Sequence, residues 1–288
     1  MPLDLTPLSA PFTKLVEVVA RGIGTIYEPT GTVRQAKAEA TAQLIRADAD
    51  IKTHELMQRA AARLGHVEVA RQKNIENVIA IAQTELPPEV SPKPVEQDWI
   101  NHFFASIQDV SSEDLQKLWG KILAGEVAAP GRYTRRLIEF LRTIDRHEAD
   151  MLTAVLSVTF KTREKWSFYF PGSATRTAMQ TKVGKIDWET HLIDIGILSS
   201  QDSMPSVSSV NGLEISFGGT PYVMAGPPPP QTAPGRLPMI EMIVPMRMFT
   251  SIGQQLTYVA SADCDQNLVT EISKELAKHK VSINPKQP

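Results

Sequence analysis

The chain has 288 residues, with 30 Lys and Arg against 32 Asp and Glu. The resulting net charge of −2 argues against a protein that coats nucleic acid or binds membranes through a polybasic surface. An apolar fraction of 42% and a charged fraction of 22% indicate a globular chain rather than a disordered one. The single cysteine, Cys264, excludes an intrachain disulfide and a cysteine-based zinc site.

The first 31 residues predict one apolar helix followed by a bend. Apolar side chains recur at helical spacing through Phe12–Tyr27, and the bend is marked by Gly22, Gly24, Pro29 and Gly31. A helix docked on the chain's own core is favoured over a helix lying on a membrane surface. The start lacks the features of a signal peptide, and no stretch approaches the ~20 apolar residues of a membrane span. The sequence therefore predicts a cytoplasmic protein without a membrane span.

Residues 32–85 predict a long helical arm, because they contain no proline and a single glycine, Gly65. Small and apolar residues recur every three or four positions in a seam formed by Ala36, Ala40, Leu44, Ala47 and Ile51. His54 and Gln58 interrupt this seam, so we expect a helix break near Gly65 rather than a long coiled coil. The seam either serves self-association or folds back on the rest of the chain, and the sequence leaves both alternatives open. Four prolines between Leu86 and Pro94 then predict an extended connector.

Residues 95–156 predict a compact helical bundle of short helices. Asp98 is the expected N-cap of the first helix. Ser111 or Ser112 is the expected N-cap of the second, where Ser111 and Asp114 have the spacing of a capping box. The second helix has a strong amphipathic stripe formed by Leu115, Leu118, Trp119, Ile122 and Leu123. Asp145 is the expected N-cap of a later helix. The aromatic core of the bundle is expected to contain Trp99, Phe103, Trp119 and Phe140.

Residues 157–288 predict a smaller α+β module with a winged-helix-like arrangement. Strands are predicted at 165–171, 213–217 and 239–244. Helices are predicted at 188–195, 249–259 and 268–279. A Ser-rich stretch after Leu198 is interpreted as a polar loop. The predicted fold is therefore mainly α, with an amphipathic helix and arm at 1–86, the bundle at 95–156 and the α+β module at 157–288.

A specific pattern lies at 116–126, whose sequence is QKLWGKILAGE, and it is followed by Pro130-Gly131 and Arg136. Together with 74–77 and the weaker 249–256, it resembles a bacterial family called domain of unknown function 2806, most clearly over residues 22–152. Thr134 and Phe249 depart mildly from the residues expected there. The core of the family motif comprises Trp119, Leu123, Gly125, Glu126, Pro130 and Gly131.

The family has no established activity, so the resemblance implies a helical architecture and a bacterial or phage setting rather than a reaction. A fainter similarity of Leu118–Leu123 to the alpha family of abortive-infection proteins implies phage defence as one setting.

Reactive groups are dispersed in the sequence, which predicts no catalytic residue, no metal and no cofactor. Common nucleophile, metal and phosphate motifs are not found, and the histidines occur singly. Cys264 lies between two aspartates, which raise the pKa of a thiol, so an incidental cysteine is favoured. Glu126 is expected to cap a helix or to pair with Arg135 or Arg136. As a catalytic acid it would need a second carboxylate or a base.

The only notable basic cluster lies around residues 132–146 and contains Arg132, Arg135, Arg136, Arg142 and Arg146. These arginines are candidates for binding nucleic-acid phosphates, although interleaved acidic residues favour a salt-bridged, solvated surface. The sequence thus predicts a non-enzymatic interaction or scaffold protein with protein partners, itself included as a homo-oligomer, and phage defence as one setting. The alternatives are a nucleic-acid-binding protein that uses the arginine cluster and an unrecognised hydrolase.

Overall fold

The computed structural model describes residues 9–23, 51–164, 166–203, 206–209, 212–227, 240–260 and 262–286. It divides into two compact units, Met1–Arg142 and Thr143–Pro288. The predicted domain boundary at 86–95 lies inside the first unit, and the one at 156–157 lies inside the second. No helix in these described ranges is long and apolar enough to cross a membrane.

The first unit is built from helices. Their bounds are α1 (Ala10–Ile23), α2 (Ile51–Thr84), α3 (Gln97–Ile107), α4 (Glu113–Ala128) and α5 (Arg135–Thr143). Leu15 and Val19 of α1 are 1% and 0% exposed, so this helix is docked on the core of its own unit. Aromatic rings fill the centre of the unit. Trp99 stacks on Phe103 at 4.9 Å between ring centroids, and Trp119 meets the edge of Phe103 at 5.4 Å.

Helix α2 runs without interruption through Gly65, so the predicted break is wrong. A glycine inside a helix costs only about 1 kcal/mol relative to alanine, and the surrounding alanine, arginine and glutamate residues favour the helix. The predicted seam from Ala36 to Ala47 lies outside the described residues.

Helix starts follow the predictions in part. Asp145 caps α6 with a capping box, because its Oδ1 accepts from Glu148 N at 2.8 Å and its N donates to Glu148 Oε2 at 3.0 Å. Asp98 is not the N-cap of α3, which begins one residue earlier, at Gln97. Ser112 caps α4 without a side-chain hydrogen bond, so the expected capping box is not formed.

The second unit combines helices and strands. Its helices are α6 (Arg146–Leu156), α7 (Ser173–Val183), α8 (Trp188–Asp194), α9 (Ser251–Val259), α10 (Asn267–Leu276) and a 3₁₀ turn (Ala277–His279). Its strands are β1 (Phe160–Thr162), β2 (Ser167–Tyr169), β3 (Leu198–Ser203), β4 (Ser206–Ser209), β5 (Leu213–Phe217), β6 (Thr220–Ala225), β7 (Ile240–Ile243), β8 (Met246–Phe249) and β9 (Ser282–Pro285).

Seven strands form one antiparallel sheet in the order β3-β8-β2-β1-β5-β6-β9. Strands β4 and β7 form a two-stranded sheet. Ser203 lies opposite Met246 and Ser206 lies opposite Ile243, so the β4–β7 pair continues the β3–β8 pair in the same register. These four strands together are called the ribbon.

The prediction of a mainly α protein with a small winged-helix-like module is wrong, because the chain has an α+β fold with a seven-stranded antiparallel sheet. The Ser-rich stretch interpreted as a loop contains β3 and β4. Such polar strands have little apolar alternation, and they are stabilised by partners far away in the sequence. The centre of the sheet is apolar, although its strands are short. Phe160 packs against Phe217 at 4.6 Å and against Phe168 at 6.0 Å between ring centroids.

Candidate functional site

One face of α2 carries the same apolar pattern twice. Residues 18 positions apart lie on the same side of an α-helix, because 18 residues make about five turns. The C-terminal copy, called the covered stripe, consists of Ile75, Val78, Ile79 and Ala82. The N-terminal copy, called the open stripe, consists of Met57, Ala60, Ala61 and Leu64. Each member of the open stripe is therefore aligned along the helix with one member of the covered stripe.

The covered stripe is buried, with its four side chains between 0% and 8% exposed, in the half of α2 that packs against α4. Gly120 permits the close approach of the two helices. A Cβ atom at this position would lie 2.5 Å from Ile81 Cγ2 and 3.2 Å from Ala82 N. This half of α2 thus belongs to a close-packed helix–helix interface.

Polar contacts mark where the covered half of α2 begins. Gln116 Nε2 donates to Asn74 Oδ1 at 3.2 Å, and Asn77 Nδ2 donates to Gln116 Oε1 at 3.1 Å. Arg71 Nε donates to Asp109 Oδ1 at 2.8 Å. Because Gln116 is only 3% exposed, leaving its amide unpaired would cost about 1–3 kcal/mol, so the network fixes the position of α2 on α4. Residues 51–70, called the arm, extend beyond these contacts.

The open stripe lies on the arm and remains exposed. Met57 is 56% exposed and Leu64 is 55% exposed, while the alanines between them are half-buried. Leu56, at the edge of the stripe, is 59% exposed. Val69 is also 57% exposed, but it follows Leu64 by five residues and is turned about 140° around the helix. The arm thus carries one apolar stripe suited to a further helix, together with an isolated apolar residue on another face.

The family-motif residues form a structural cluster at the end of α4. Trp119 and Leu123 are 0% exposed, and Glu126 is 1% exposed. Glu126 Oε1 accepts from Gly131 N at 2.6 Å, and its Oε2 accepts from Tyr133 N at 2.9 Å. Burial raises the pKa of Glu126, and the N–H donors act in the opposite direction. The carboxylate therefore binds the backbone of a turn, rather than Arg135 or Arg136.

The turn after α4 requires glycine at two positions of the motif. Gly131 has a φ of +89°, a backbone conformation that favours glycine. A Cβ atom on Gly125 would lie 2.7 Å from Tyr133 Cε2. Trp99 Nε1 donates to Tyr133 O at 2.8 Å, which holds the turn against α3. Gly125, Glu126 and Gly131 thus have structural roles in this turn.

Two of the candidate phosphate-binding arginines lie beside carboxylates. Arg135 Nη1 is 3.6 Å from Asp98 Oδ2, and Arg142 Nη1 is 3.9 Å from Glu139 Oε1. Both arginines are more than half exposed, and surface ion pairs of this kind contribute about 0–1 kcal/mol. The pairs agree with a solvated, salt-bridged surface.

The other arginines of the cluster are spread over separate elements. The Arg132 guanidinium lies 5.5 Å from the ring centre of Tyr133, before α5 begins. Arg136 is exposed on α5. Arg146 is the first residue of α6, in the other unit. Nucleic-acid binding by Arg132, Arg135, Arg136 and Arg142 stays a prediction.

Two histidines, His102 and His191, each lie near a single carboxylate. His102 Nε2 lies 2.8 Å from Glu139 Oε1, although the angle is not that of a hydrogen bond. His191 Nε2 lies 3.3 Å from Glu148 Oε1. The described ranges contain no group of three or more His, Cys, Asp or Glu residues that could hold a metal ion.

Cys264 is half-buried, and burial is the main cause that raises its pKa. The neighbouring Asp263 adds a smaller contribution in the same direction, whereas Lys182 and the Gly218 N–H act to lower the pKa. The thiol is thus protonated at neutral pH. The main cause is burial, whereas the sequence suggests the neighbouring aspartates.

A polar network in the second unit was not predicted from the sequence. Tyr169 Oη donates to Glu189 Oε1 at 2.5 Å, and Arg247 Nε donates to the same oxygen at 3.0 Å. Burial, followed by the bond to Glu189, raises the pKa of Tyr169. The three residues lie on β2, α8 and β8, so no local motif could reveal them. Each group is satisfied by another, as expected of a buried network that joins a helix to a sheet.

A cleft of about 550 Å³ lies between α7 and α10 in the second unit. Its charged groups are largely paired. Glu275 Oε1 accepts from Ala174 N at 2.8 Å and from Ser173 Oγ, so a carboxylate of the chain itself occupies the N-terminus of α7. Lys274 Nζ lies 2.6 Å from Glu271 Oε1.

Comparison with known proteins identifies the family. The sequence profile of the family described as "Protein of unknown function (DUF2806)" matches residues 58–273. The match covers most of the chain, so the chain belongs to this family. Neither the curated proteins nor the solved structures contain a significant match to the chain.

Proposed function

We propose that this protein is an interaction or scaffold protein that docks a partner helix on the open stripe of α2. The observation that supports this function is the repetition of one apolar pattern, buried in its C-terminal copy and exposed in its N-terminal copy. The covered stripe shows that the pattern is suited to packing within a unit built from helices.

The exposed side chains supply the free energy for docking. Full burial of a leucine or methionine side chain contributes about 1.5–3 kcal/mol. Met57 and Leu64 are each more than half exposed, so much of this contribution is available to a docked helix. The half-buried alanines between them allow a close approach. The network of Asn74, Asn77 and Gln116 fixes the arm on the unit, which reduces the entropy lost when a partner binds.

Site-specific photo-crosslinking in the producing cells tests this function. A photoreactive phenylalanine derivative replaces Leu64 in one variant and Val69 in the matched control, because both side chains are equally exposed and face different sides of α2. We expect position 64 to give adducts heavier than the 31.8 kDa chain and position 69 to give far fewer. Equal yields at the two positions, or only adducts of the size of the chain itself, would contradict the proposed function.

The other functions considered from the sequence remain predictions. Nucleic-acid binding rests on the arginine cluster, the hydrolase alternative has no reactive group assigned to it, and the phage-defence setting rests on the fainter family resemblance.

A further inference from the structure

We infer that α2 binds the phosphate backbone of double-stranded DNA on the side that points away from the open stripe. The side chains assigned to the phosphates form the basic ridge, which consists of Arg59, Arg63, His66 and Lys73. This inference goes beyond the proposed function, because it concerns a different ligand and a different face of the helix. It rests on the alignment of the four side chains, on their exposure and on the carboxylates near them.

The basic ridge follows one side of α2. Its members are four, three and seven residues apart, so they lie within about 80° of one another around the helix axis. They extend over about 21 Å along this axis. The mean direction of the ridge is about 155° around the helix from that of the open stripe. One helix therefore presents an apolar face and a basic face that point in nearly opposite directions.

The ridge is accessible to a large ligand, because all four side chains are exposed. Arg71 and Asn74 fasten α2 to the loop before α4, through hydrogen bonds to Asp109 Oδ1 and to the carbonyl oxygen of Gln108. The first three members of the ridge precede these contacts and lie on the arm. Lys73 lies at the edge of the packed part of the helix.

Few carboxylates compete for the ridge. Glu55 lies 3.8 Å from Arg59, but the two side chains are 63% and 70% exposed, and an exposed pair of this kind contributes little. Glu68, the other carboxylate of the arm, lies on the opposite side of α2 and accepts from Arg71 Nη1 at 3.4 Å. Within the described ranges, the remaining members of the ridge form no ion pair. The electrostatic potential along the ridge is therefore positive.

This arrangement differs from that of the arginine cluster at 132–146. There, Arg135 lies beside Asp98, and Arg142 lies beside Glu139. The cluster is dense in the sequence but spread over separate elements, whereas the ridge is spread in the sequence and aligned on one helix. The ridge is thus the better candidate for a row of phosphate contacts.

Double-stranded DNA fits the ridge better than other polyanions do. B-form DNA carries one negative charge per about 1.7 Å of its axis, so a ridge of about 21 Å meets a dense row of phosphates. Its major groove is about 12 Å wide and admits an α-helix, whereas the major groove of A-form RNA is deep and narrow. On a membrane, insertion of the open stripe would turn the ridge away from the lipid headgroups. Because the first turn of α4 carries Glu113 and Asp114, we expect the duplex to cross the arm rather than to continue over α4.

Fluorescence anisotropy with a short labelled DNA duplex of mixed sequence tests the ridge. The ridge variant replaces three of its cations by glutamine, as Arg59→Gln, Arg63→Gln and Lys73→Gln. The matched control removes the same charge from three exposed positions of α5, as Arg135→Gln, Arg136→Gln and Arg142→Gln. Glutamine is a good helix former, so circular dichroism should show equal helix content in all three chains.

We expect the ridge variant to bind DNA at least about tenfold more weakly than the wild type, and the control to bind as the wild type does, because each phosphate contact releases counterions. The salt dependence counts these contacts. Three of them predict that log Kd rises with the logarithm of the salt concentration with a slope of about 2.7 in the wild type. An unchanged affinity or slope in the ridge variant, or an equal loss in the control, would overturn the inference.

Competition identifies the polyanion. We expect unlabelled DNA to displace the labelled duplex, and an RNA duplex of the same sequence or vesicles of anionic phospholipid to displace it far less. Stronger displacement by RNA or vesicles would overturn the inference, as would a wild type that binds no DNA at low salt and tens of micromolar. Leu64→Ala should bind DNA as the wild type does, so the two faces of α2 can fail separately. Loss of crosslinks at position 64 contradicts the proposed function alone, and loss of DNA binding contradicts this inference alone.

Discussion

The covered and open stripes of α2 have the same apolar pattern and opposite surroundings. In the covered half, Val78 and Ala82 are 0% exposed, whereas in the arm Met57 and Leu64 remain more than half exposed. The amino-acid pattern alone therefore does not decide whether a helix face belongs to the core. What differs is the presence of a second helix, which one half of α2 finds in its own unit and the other half has available for a partner.

The largest difference between the two halves should be seen when one large side chain is removed from each. Ile79→Ala should lower the free energy of unfolding by about 2–5 kcal/mol, because Ile79 is 2% exposed and the substitution leaves a cavity in the core. Leu64→Ala should change it by less than about 0.5 kcal/mol in dilute, monomeric protein, since the side chain is exposed. Urea denaturation followed by circular dichroism measures both. Equal losses would show that the arm is packed within the monomer.

Replacing glycine by alanine should lower the stability beside the covered half of α2 and raise it in the arm. Gly120→Ala should destabilise the unit by about 1–3 kcal/mol, because the new Cβ would lie 2.5 Å from Ile81 Cγ2. Gly65→Ala should stabilise the arm by about 0.5–1 kcal/mol, because its Cβ meets no atom within 4 Å and alanine favours the helix. Thermal unfolding compares the two variants with the wild type, and the same sign for both would contradict this view of α2.

The smallest expected effect is a change in the free energy of unfolding with pH. It should arise only on the covered side, from Glu126 in the last turn of α4. Burial raises the pKa of Glu126 above its ordinary value of 4.5, so the folded chain binds more protons than the unfolded chain in the interval between them. The Glu126 contribution to the free energy of unfolding is thus fully present below pH 4.5 and decreases as the pH rises through the folded pKa. Comparing the pH slopes of wild type and Glu126→Gln isolates this contribution. A wild-type slope that is steeper upward than that of the variant would reverse the assignment.

The helices of the first unit could be predicted because their signals are local. The spacing of Leu115, Trp119 and Leu123 predicts α4, and in the second unit Asp145 likewise marks the start of α6 by a local signal. The sheet could not be predicted in the same way. Strand β3 is polar and pairs with β8, where Leu198 lies opposite Phe249, so its structure depends on residues about fifty positions away.

The open stripe was missed because the sequence pattern was followed in a different register. The seam that includes Ile51 continues to His54 and Gln58, which are polar. Its pattern therefore indicates an interruption there. Met57 and Leu64 begin a different stripe, whose meaning becomes clear only by comparison with residues 18 positions further along. An 18-residue repeat is a signal that the sequence does contain. Which copy would be exposed depends on where α4 begins, and this is a property of the tertiary structure.

The ribbon in the second unit limits how its length can change. Ser203 lies opposite Met246 and Ser206 lies opposite Ile243, so the two strand pairs share one register on either side of residues 204–205. Consecutive residues in a strand point to opposite faces, so one residue added to a single strand would invert every position beyond it. Residues added to both strands at the same level would keep the faces and extend the ribbon. The ribbon can therefore change its length only when both strands gain or lose residues at the same level.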